Sequence, residues 1–219
     1  MTVGLVIVSH SAALAAGVVE LAGQMAPGVP IIPAGGMPDG GLGTDFAAVT
    51  DAVATADQGE GVVLLFDLGS AQMTADLVVE SMADPDQAVV ADAPLVEGAV
   101  AAAVAAAGGA SMAAVASAAS GHAPDASVVS GPAERIEIEL TNEIGLHARP
   151  AAQLARSLTG LTADVTVTFG DQSSDARSVL GLLGLGARKG DRLVVSAQGE
   201  QAAEALRRIR QLADDNFGE

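Results

Sequence analysis

The chain has no cysteine, no tryptophan and no tyrosine, and only four phenylalanines in 219 residues. Without cysteine, disulfides and thiolate metal sites are excluded, and a reducing compartment is tolerated. With so few aromatic rings, recognition by stacking on bases or sugars has little to work with. Basic residues are also missing from most of the chain: no Lys or Arg precedes Arg135, while residues 1–134 hold 15 of the 27 acids. Nearly all of the net charge of −17 therefore lies in the first part. Such a surface repels nucleic acid and anionic membranes and attracts a basic protein face. The amino terminus lacks a basic region, and its apolar run over 3–8 is too short for a signal peptide. Residues 99–119 have the length of a membrane span. They are mostly alanine, however, and are interrupted by Gly108, Gly109, Ser111 and Ser117, so water-soluble helices are expected there. Three scattered histidines, His10, His122 and His147, do not make a metal site. The expectation is a cytoplasmic protein with no bound metal or cofactor.

The charge asymmetry and the length suggest two units: 1–120, a linker over 121–133 rich in Gly, Pro, Ser and Asp, and 134–219. In the first unit, short continuous apolar runs at 3–8, 29–33, 61–66 and 87–91 read as buried parallel strands. Helical spacing at 12–25, 46–56, 71–82 and 94–119, the last broken near Gly108, places helices between and after them. Residues 34–45 are too glycine-rich for a regular element. This alternation predicts an α/β domain with a parallel sheet covered on both faces. The second unit differs in style. Ile136, Ile138 and Leu140 alternate with charged residues, as in a half-buried antiparallel strand. Strands are expected at 135–140, 164–169, 172–176 and 192–197, with helices at 148–158, 179–187 and up to residue 212. The order β-α-β-β-α-β-α predicts an α+β open-faced sandwich.

His147 stands just before a helix whose first turn accommodates Pro150. Helix amides, the positive end of the helix dipole and the Arg149 fork would all favour a phosphate there. The same residues also read as a plain capping histidine beside a surface arginine. His10 follows the first strand at its carboxyl end, where open α/β sheets place their sites. Asp67, in Asp67-Leu68-Gly69-Ser70, follows another strand and should reach the same edge. A carboxylate holding one ring nitrogen leaves the other nucleophilic. A satisfied strand-end histidine is the alternative. The loop over 35–44, ending in Gly43-Thr44, is positioned to offer amides and a hydroxyl to a phosphate. Thr44 and Ser70 are thus candidate cradle residues in a unit without cations. His122, in the linker, carries no expected chemistry.

Two resemblances sharpen these readings. Residues 135–219 resemble HPr, the histidine phosphocarrier of the bacterial phosphoenolpyruvate:sugar phosphotransferase system. The resemblance rests on Gly145-Leu146-His147-Ala148-Arg149-Pro150-Ala151 and on Ala176-Arg177-Ser178-Val179-Leu180-Gly181-Leu182-Leu183. It implies that His147 accepts phosphoryl from Enzyme I on ring Nδ1, the pros position, with Arg149 stabilising it. Ser178 falls at the family's regulatory serine, where a phosphate would add charge to a docking surface; a serine there also reads as a simple helix N-cap. Val179, Leu180 and Leu183 read as core or as docking surface.

Residues 1–120 are similar to the mannose-class IIA fold. They are more similar still to the DhaM family, the phosphotransferase subunits of bacterial dihydroxyacetone kinases. The matching runs are Leu5-Val6-Ile7-Val8-Ser9-His10-Ser11, Gly43-Thr44-Asp45, Asp67-Leu68-Gly69-Ser70-Ala71 and Ala93-Pro94-Leu95-Val96-Glu97-Gly98. The resemblance implies that His10 carries phosphoryl, that Asp67 orients it, and that this domain forms a homodimer. Nε2, the tele position, is the expected site on His10, although the sequence alone does not choose between the nitrogens. The implied relay runs from phosphoenolpyruvate through Enzyme I to His147, then to His10, then to ADP held by DhaL; DhaK takes part indirectly, holding dihydroxyacetone. Some relatives carry an Enzyme I-like third domain. Since these residues stop at Glu219, a separate Enzyme I is expected. Two other readings stand beside this one: a IIA component serving a mannose-class sugar transporter, and a regulatory module read out by its phosphorylation state.

Overall fold

A computed structural model describes residues 2–121 and 134–218. Apart from Gly121, the expected linker lies outside the described residues, as does His122. The chain divides into two compact units, Met1–His122 and Ala123–Glu219.

The first unit is a four-stranded, all-parallel sheet in the order β2-β1-β3-β4. Its strands are β1 (Gly4–Ser9), β2 (Ile31–Gly35), β3 (Val62–Phe66) and β4 (Ala88–Ala91). All six residues of β1 are buried, which is why that run shows no polar alternation. Val6 and Val8 join the core formed with α2 (Phe46–Ala56) and α3 (Gly69–Ser81). Successive side chains of a strand alternate, so Leu5 and Ile7 face the other layer. That layer contains α1 (Ala12–Met25), α4 (Leu95–Ala107) and α5 (Met112–Ala119). The sheet is therefore covered on both faces, as the sequence predicts. Pro33 is tolerated within β2 because β2 is an edge strand and needs no amide on its outer side.

The alanine-rich stretch forms α4 and α5, separated at 108–111. Gly98 lets α4 approach its neighbours: a Cβ there would lie 3.0 Å from the Ala119 carbonyl oxygen and 3.2 Å from Leu65 Cδ2. α4 is buried almost all round, which explains its uniform hydrophobicity without a bilayer. No described helix is long and apolar enough to cross a membrane.

The second unit is a four-stranded antiparallel sheet in the order β5-β8-β6-β7, built from β5 (Glu134–Glu139), β6 (Asp164–Phe169), β7 (Gln172–Asp175) and β8 (Arg192–Gln198). Helices α6 (Ala148–Ser157), α7 (Val179–Gly184) and α8 (Ala202–Asp214) complete it. Ile138, Val165, Val167, Leu193, Val195 and Ala197 are buried, while Glu137, Glu139 and Thr166 point out. This is the expected open-faced sandwich.

Several boundaries differ from the sequence reading by a residue or more, α8 for instance running to Asp214 rather than residue 212, and three of the shifts have a visible cause. β2 runs over 31–35 rather than 29–33, because its register is set by pairing Leu5 with Ile31. α3 begins at Gly69 rather than at Ala71, with extended Leu68 as its N-cap. α7 stops at Gly184 rather than at residue 187. Leu185 closes it and Gly186, at φ +64°, turns the chain away.

Candidate functional site

The first site is made where three strands end together. The register places Val8 beside Phe66 and Ser9 beside Gly35, so His10, Gly36 and Asp67 leave one edge of the sheet as neighbours. β1 lies at the point where the chain leaves toward β2 on one side and β4 on the other, the usual place for a site in such a sheet. The Asp67 amide donates to the Val8 carbonyl at 3.2 Å and continues the ladder one residue past β3.

The three residues of Ser9-His10-Ser11 take three different tasks. Ser11 is the N-cap of α1 and accepts from the Leu14 amide. The His10 ring places Nδ1 2.9 Å from Asp67 Oδ1 and Nε2 2.8 Å from Ser70 Oγ. Ser9 points inward, and its Oγ donates to Asp67 Oδ2 at 2.8 Å. Asp67 is thus surrounded by donors: Ser9 Oγ and the His10 amide on Oδ2, the His10 ring and the Leu68 amide on Oδ1.

The consequence for charge is direct. Burial pushes the Asp67 carboxyl up, but the hydrogen bonds from the His10 ring, the His10 amide and Ser9 together outweigh it. The carboxyl is held below its ordinary value. An ionised carboxylate only accepts hydrogen bonds, so the facing Nδ1 carries the ring proton. Nε2 then presents a lone pair, which accepts the Ser70 hydroxyl proton. The His10 side chain is 26% exposed and Asp67 12%, so the ring is reachable while the carboxylate is covered.

The glycine-rich loop does less than the sequence suggests. Its amides are largely spent on its own shape. Gly36 donates to Ser9 O, Met37 to Gly41 O, Gly40 to Met37 O, Gly41 to Asp39 Oδ1 and Gly43 to His10 O. The last of these, at 2.9 Å, fixes the loop against the histidine backbone. Gly35 is required by close approach, since a Cβ would come within 2.7 Å of the Ser11 carbonyl oxygen. The Thr44 hydroxyl is engaged by Thr74 Oγ1 at 2.9 Å, and Thr74 in turn donates to Ser70 O. The sequence reading missed Thr74 and Ser9. It also missed that α3 opens at Gly69, which brings first-turn amides beside the His10 ring. Ala71 and Gln72 donate theirs to Leu68 O, which leaves the Gly69 and Ser70 amides as the ones the helix itself does not use. The only sequence signal was Gly-Ser directly after Asp67-Leu68.

The second site lies in the other unit. His147 is the N-cap of α6, in extended conformation, half-buried, with no side-chain capping bond. Arg149 is exposed in the first turn, and Pro150 is buried there. The preceding loop is tightly held. Leu146 N donates to Ala187 O, His147 N donates to Gly145 O, and buried Asn142 donates from Nδ2 to that same oxygen at 2.8 Å. Asn142 was not singled out from the sequence. Gly145 has φ +84°, and a Cβ there would sit 2.5 Å from Arg188 Cα. Gly145→Ala is therefore expected to destabilise the unit by about 1–3 kcal/mol and to displace His147. Chemical denaturation and the histidine ring resonances would register both effects; unchanged values would contradict this account of the loop.

Ser178 caps α7, accepting from the Gly181 amide at 3.1 Å. Val179 belongs to the core, whereas Leu180 and Leu183 remain half-exposed. Among the described residues no cluster of three or more His, Cys, Asp or Glu side chains is arranged to hold a metal ion.

Comparison with known proteins places both units in known families. The family described as PTS system fructose IIA component, EIIA-man, matches residues 4–116, and the PTS HPr component phosphorylation site family matches residues 134–215. The PEP-dependent dihydroxyacetone kinase phosphoryl donor subunit DhaM of Providencia stuartii is 37% identical over 99% of this chain and 50% of its own length. The PTS-dependent dihydroxyacetone kinase phosphotransferase subunit DhaM of Lactococcus lactis is 39% identical over 47% of this chain and 80% of its own. A crystallised protein of unknown function superposes with a TM-score of 0.50 at 32% identity, covering 55% of this chain and 94% of that one. The chain spans about half the length of the curated relatives that it matches from end to end. With the first unit matched as a IIA component and the second as HPr, the chain belongs to the DhaM family of the phosphotransferase system.

Proposed function

We propose that this chain is a phosphohistidine relay in a phosphoenolpyruvate-dependent dihydroxyacetone kinase. It takes phosphoryl from an Enzyme I on His147 and passes it to His10, which delivers it to ADP bound on a DhaL-type subunit. The group ends on dihydroxyacetone held by the DhaK subunit, a partner of this chain only indirectly. In this reading the chain binds no cofactor; the phosphoryl group originates from phosphoenolpyruvate. The observation that carries the proposal is the His10 ring, fixed by Asp67 on Nδ1 and with the Nε2 lone pair turned to the Ser70 hydroxyl.

The chemistry follows from that arrangement. The Nε2 lone pair attacks phosphorus in line as the bond to His147 Nδ1 breaks, and the departing ring keeps the electron pair. Attack leaves the His10 ring as a phosphorylated imidazolium. Its positive charge falls 2.9 Å from the Asp67 carboxylate, which stabilises it without taking the proton. The Ser70 hydroxyl, released from Nε2, turns to a phosphoryl oxygen, and the first-turn amides of α3 supply positive potential. Those amides matter because residues 1–134 contain no Lys or Arg. At the other site, Arg149 and the first turn of α6 supply the corresponding donors to His147. Thr44 acts through Thr74, holding the loop beside Ser70.

The deciding assay follows label from phosphoenolpyruvate through purified Enzyme I and this chain to ADP-loaded DhaL. Transfer to DhaL supports the kinase role. Labelled histidines with no transfer to DhaL would instead favour a sugar-transporter or regulatory acceptor. Because the His10 unit is acidic and the acceptor face should be basic, the final transfer is expected to slow several-fold between about 0.05 and about 0.5 M salt, as screening shortens the Debye length. A stopped-flow rate indifferent to salt would remove electrostatic docking from the account.

A further inference from the structure

We infer that Ser9 is a positioning residue for phosphoryl transfer, acting on His10 through Asp67. The inference rests on His10 being the phosphoryl-bearing histidine. Ser9 is fully buried, one of two buried polar residues among those described, so no water stands in for its hydrogen bonds. Its hydroxyl has one proton and a direction fixed from both sides. The Ser11 amide donates to Ser9 Oγ at 3.0 Å, so the oxygen is already in use as an acceptor. The remaining proton goes to Asp67 Oδ2 at 2.8 Å. A hydroxyl donating to a carboxylate is a charge-assisted bond, stronger than a neutral one.

That bond controls which way the carboxylate faces. Oδ2 is shared between Ser9 and the His10 amide, and Oδ1 between the His10 ring and the Leu68 amide. The two backbone amides hold one oxygen each, and Ser9 adds a side-chain donor to Oδ2. The Ser9 proton, arriving from inside the fold, locks Oδ2 inward and thereby presents Oδ1 to Nδ1. The ring is then held in the tautomer that leaves Nε2 nucleophilic. Ser9 touches neither the ring nor the incoming phosphoryl group. Its effect on rate has to pass through Asp67.

The test uses the full chain with nitrogen-15 in its histidines. In Ser9→Ala, the ring nitrogen shifts of His10 are expected to show a growing population protonated on Nε2. Transfer from His147 to His10 should slow about 10-fold, the scale on which groups that orient a functional histidine act. In an Asp67→Asn background the same change should cost nothing further, because the route to the ring is already broken. Should Ser9→Ala not fold, Ser9→Thr against Ser9→Val compares side chains of equal size with and without the hydroxyl, and only the first should keep the native tautomer. Unchanged tautomers, or a rate loss fully additive with Asp67→Asn, would overturn the inference. If His10 of the unaltered chain is never labelled, the functional reading fails, and the ring shifts still decide whether Ser9 sets the tautomer.

Discussion

With label supplied from phosphoenolpyruvate and Enzyme I, His147→Ala is expected to leave His10 unlabelled, whereas His10→Ala is expected to label His147 alone. In each case, label reaching DhaL should fall by at least about 10³-fold, the scale on which removal of a covalent nucleophile acts. The asymmetry is the informative part, because it fixes the order of the two transfers. His10 offers a lone pair at Nε2 with its proton committed to Asp67, and no neighbour replaces it: without the ring Ser70 loses the base it donates to, and Ser9 is fully buried. His147 sits at the opening of α6 with Arg149 in its first turn. Label appearing on His10 in the His147→Ala chain would mean that His10 takes phosphoryl without His147 and would overturn the proposed order. Acid-labile phosphate on each residue, read by mass spectrometry, distinguishes the cases.

Asp67→Asn should have the next largest effect. It keeps the size of the side chain but places an NH₂ group where one carboxylate oxygen accepts hydrogen bonds. All four partners of Asp67 are donors, so the amide group must oppose two of them whichever way it points. Facing the ring, it donates to Nδ1 and drives the proton to Nε2, which removes the nucleophile. Facing inward, it confronts the Ser9 hydroxyl and the His10 amide. Transfer to His10 should fall by about 10²–10⁴-fold, while labelling of His147 stays intact.

Stability carries an independent signature. The folded state holds the Asp67 carboxyl below its ordinary value, so the unfolded chain binds that proton more readily. The stabilisation is therefore present above the unfolded pKa and disappears as pH falls through the lower, folded one. Urea unfolding should show wild type more stable than Asp67→Asn at neutral pH, with the gap closing in strong acid. A gap that widens in acid would mean that Asp67 is protonated in the fold.

Much of the fold was legible in the sequence because periodicity reports burial. The unbroken apolar run of β1 announced a strand covered on both faces, and Ile136 with Ile138 announced one covered on a single face. α1, α2 and β6 fall where their patterns place them. The boundaries that moved are those set by partners elsewhere in the chain. β2 shifted because its register belongs to β1, and α3 opened early because Asp67 and Leu68 turn the chain into it. The two histidines were legible because each stands at the end of a recognisable element. Ser9 and Thr74 were not, since a serine in a strand and a threonine in a helix look the same whether or not they meet a partner more than twenty residues away.

The two styles of sheet, the charge division between the two parts, and the histidines proposed to carry a phosphoryl group can all be read from the sequence. Those properties are local: hydrophobic period, residue type, and distance from an element's end. The tertiary structure decided how His10 is armed. It laid Ser9 and Asp67 side by side across neighbouring strands, spent the loop amides internally, and opened α3 against the ring. Parallel pairing is what made this possible. A crossover brings the ends of distant strands to one edge, and no pattern within either strand records which side chains will meet there.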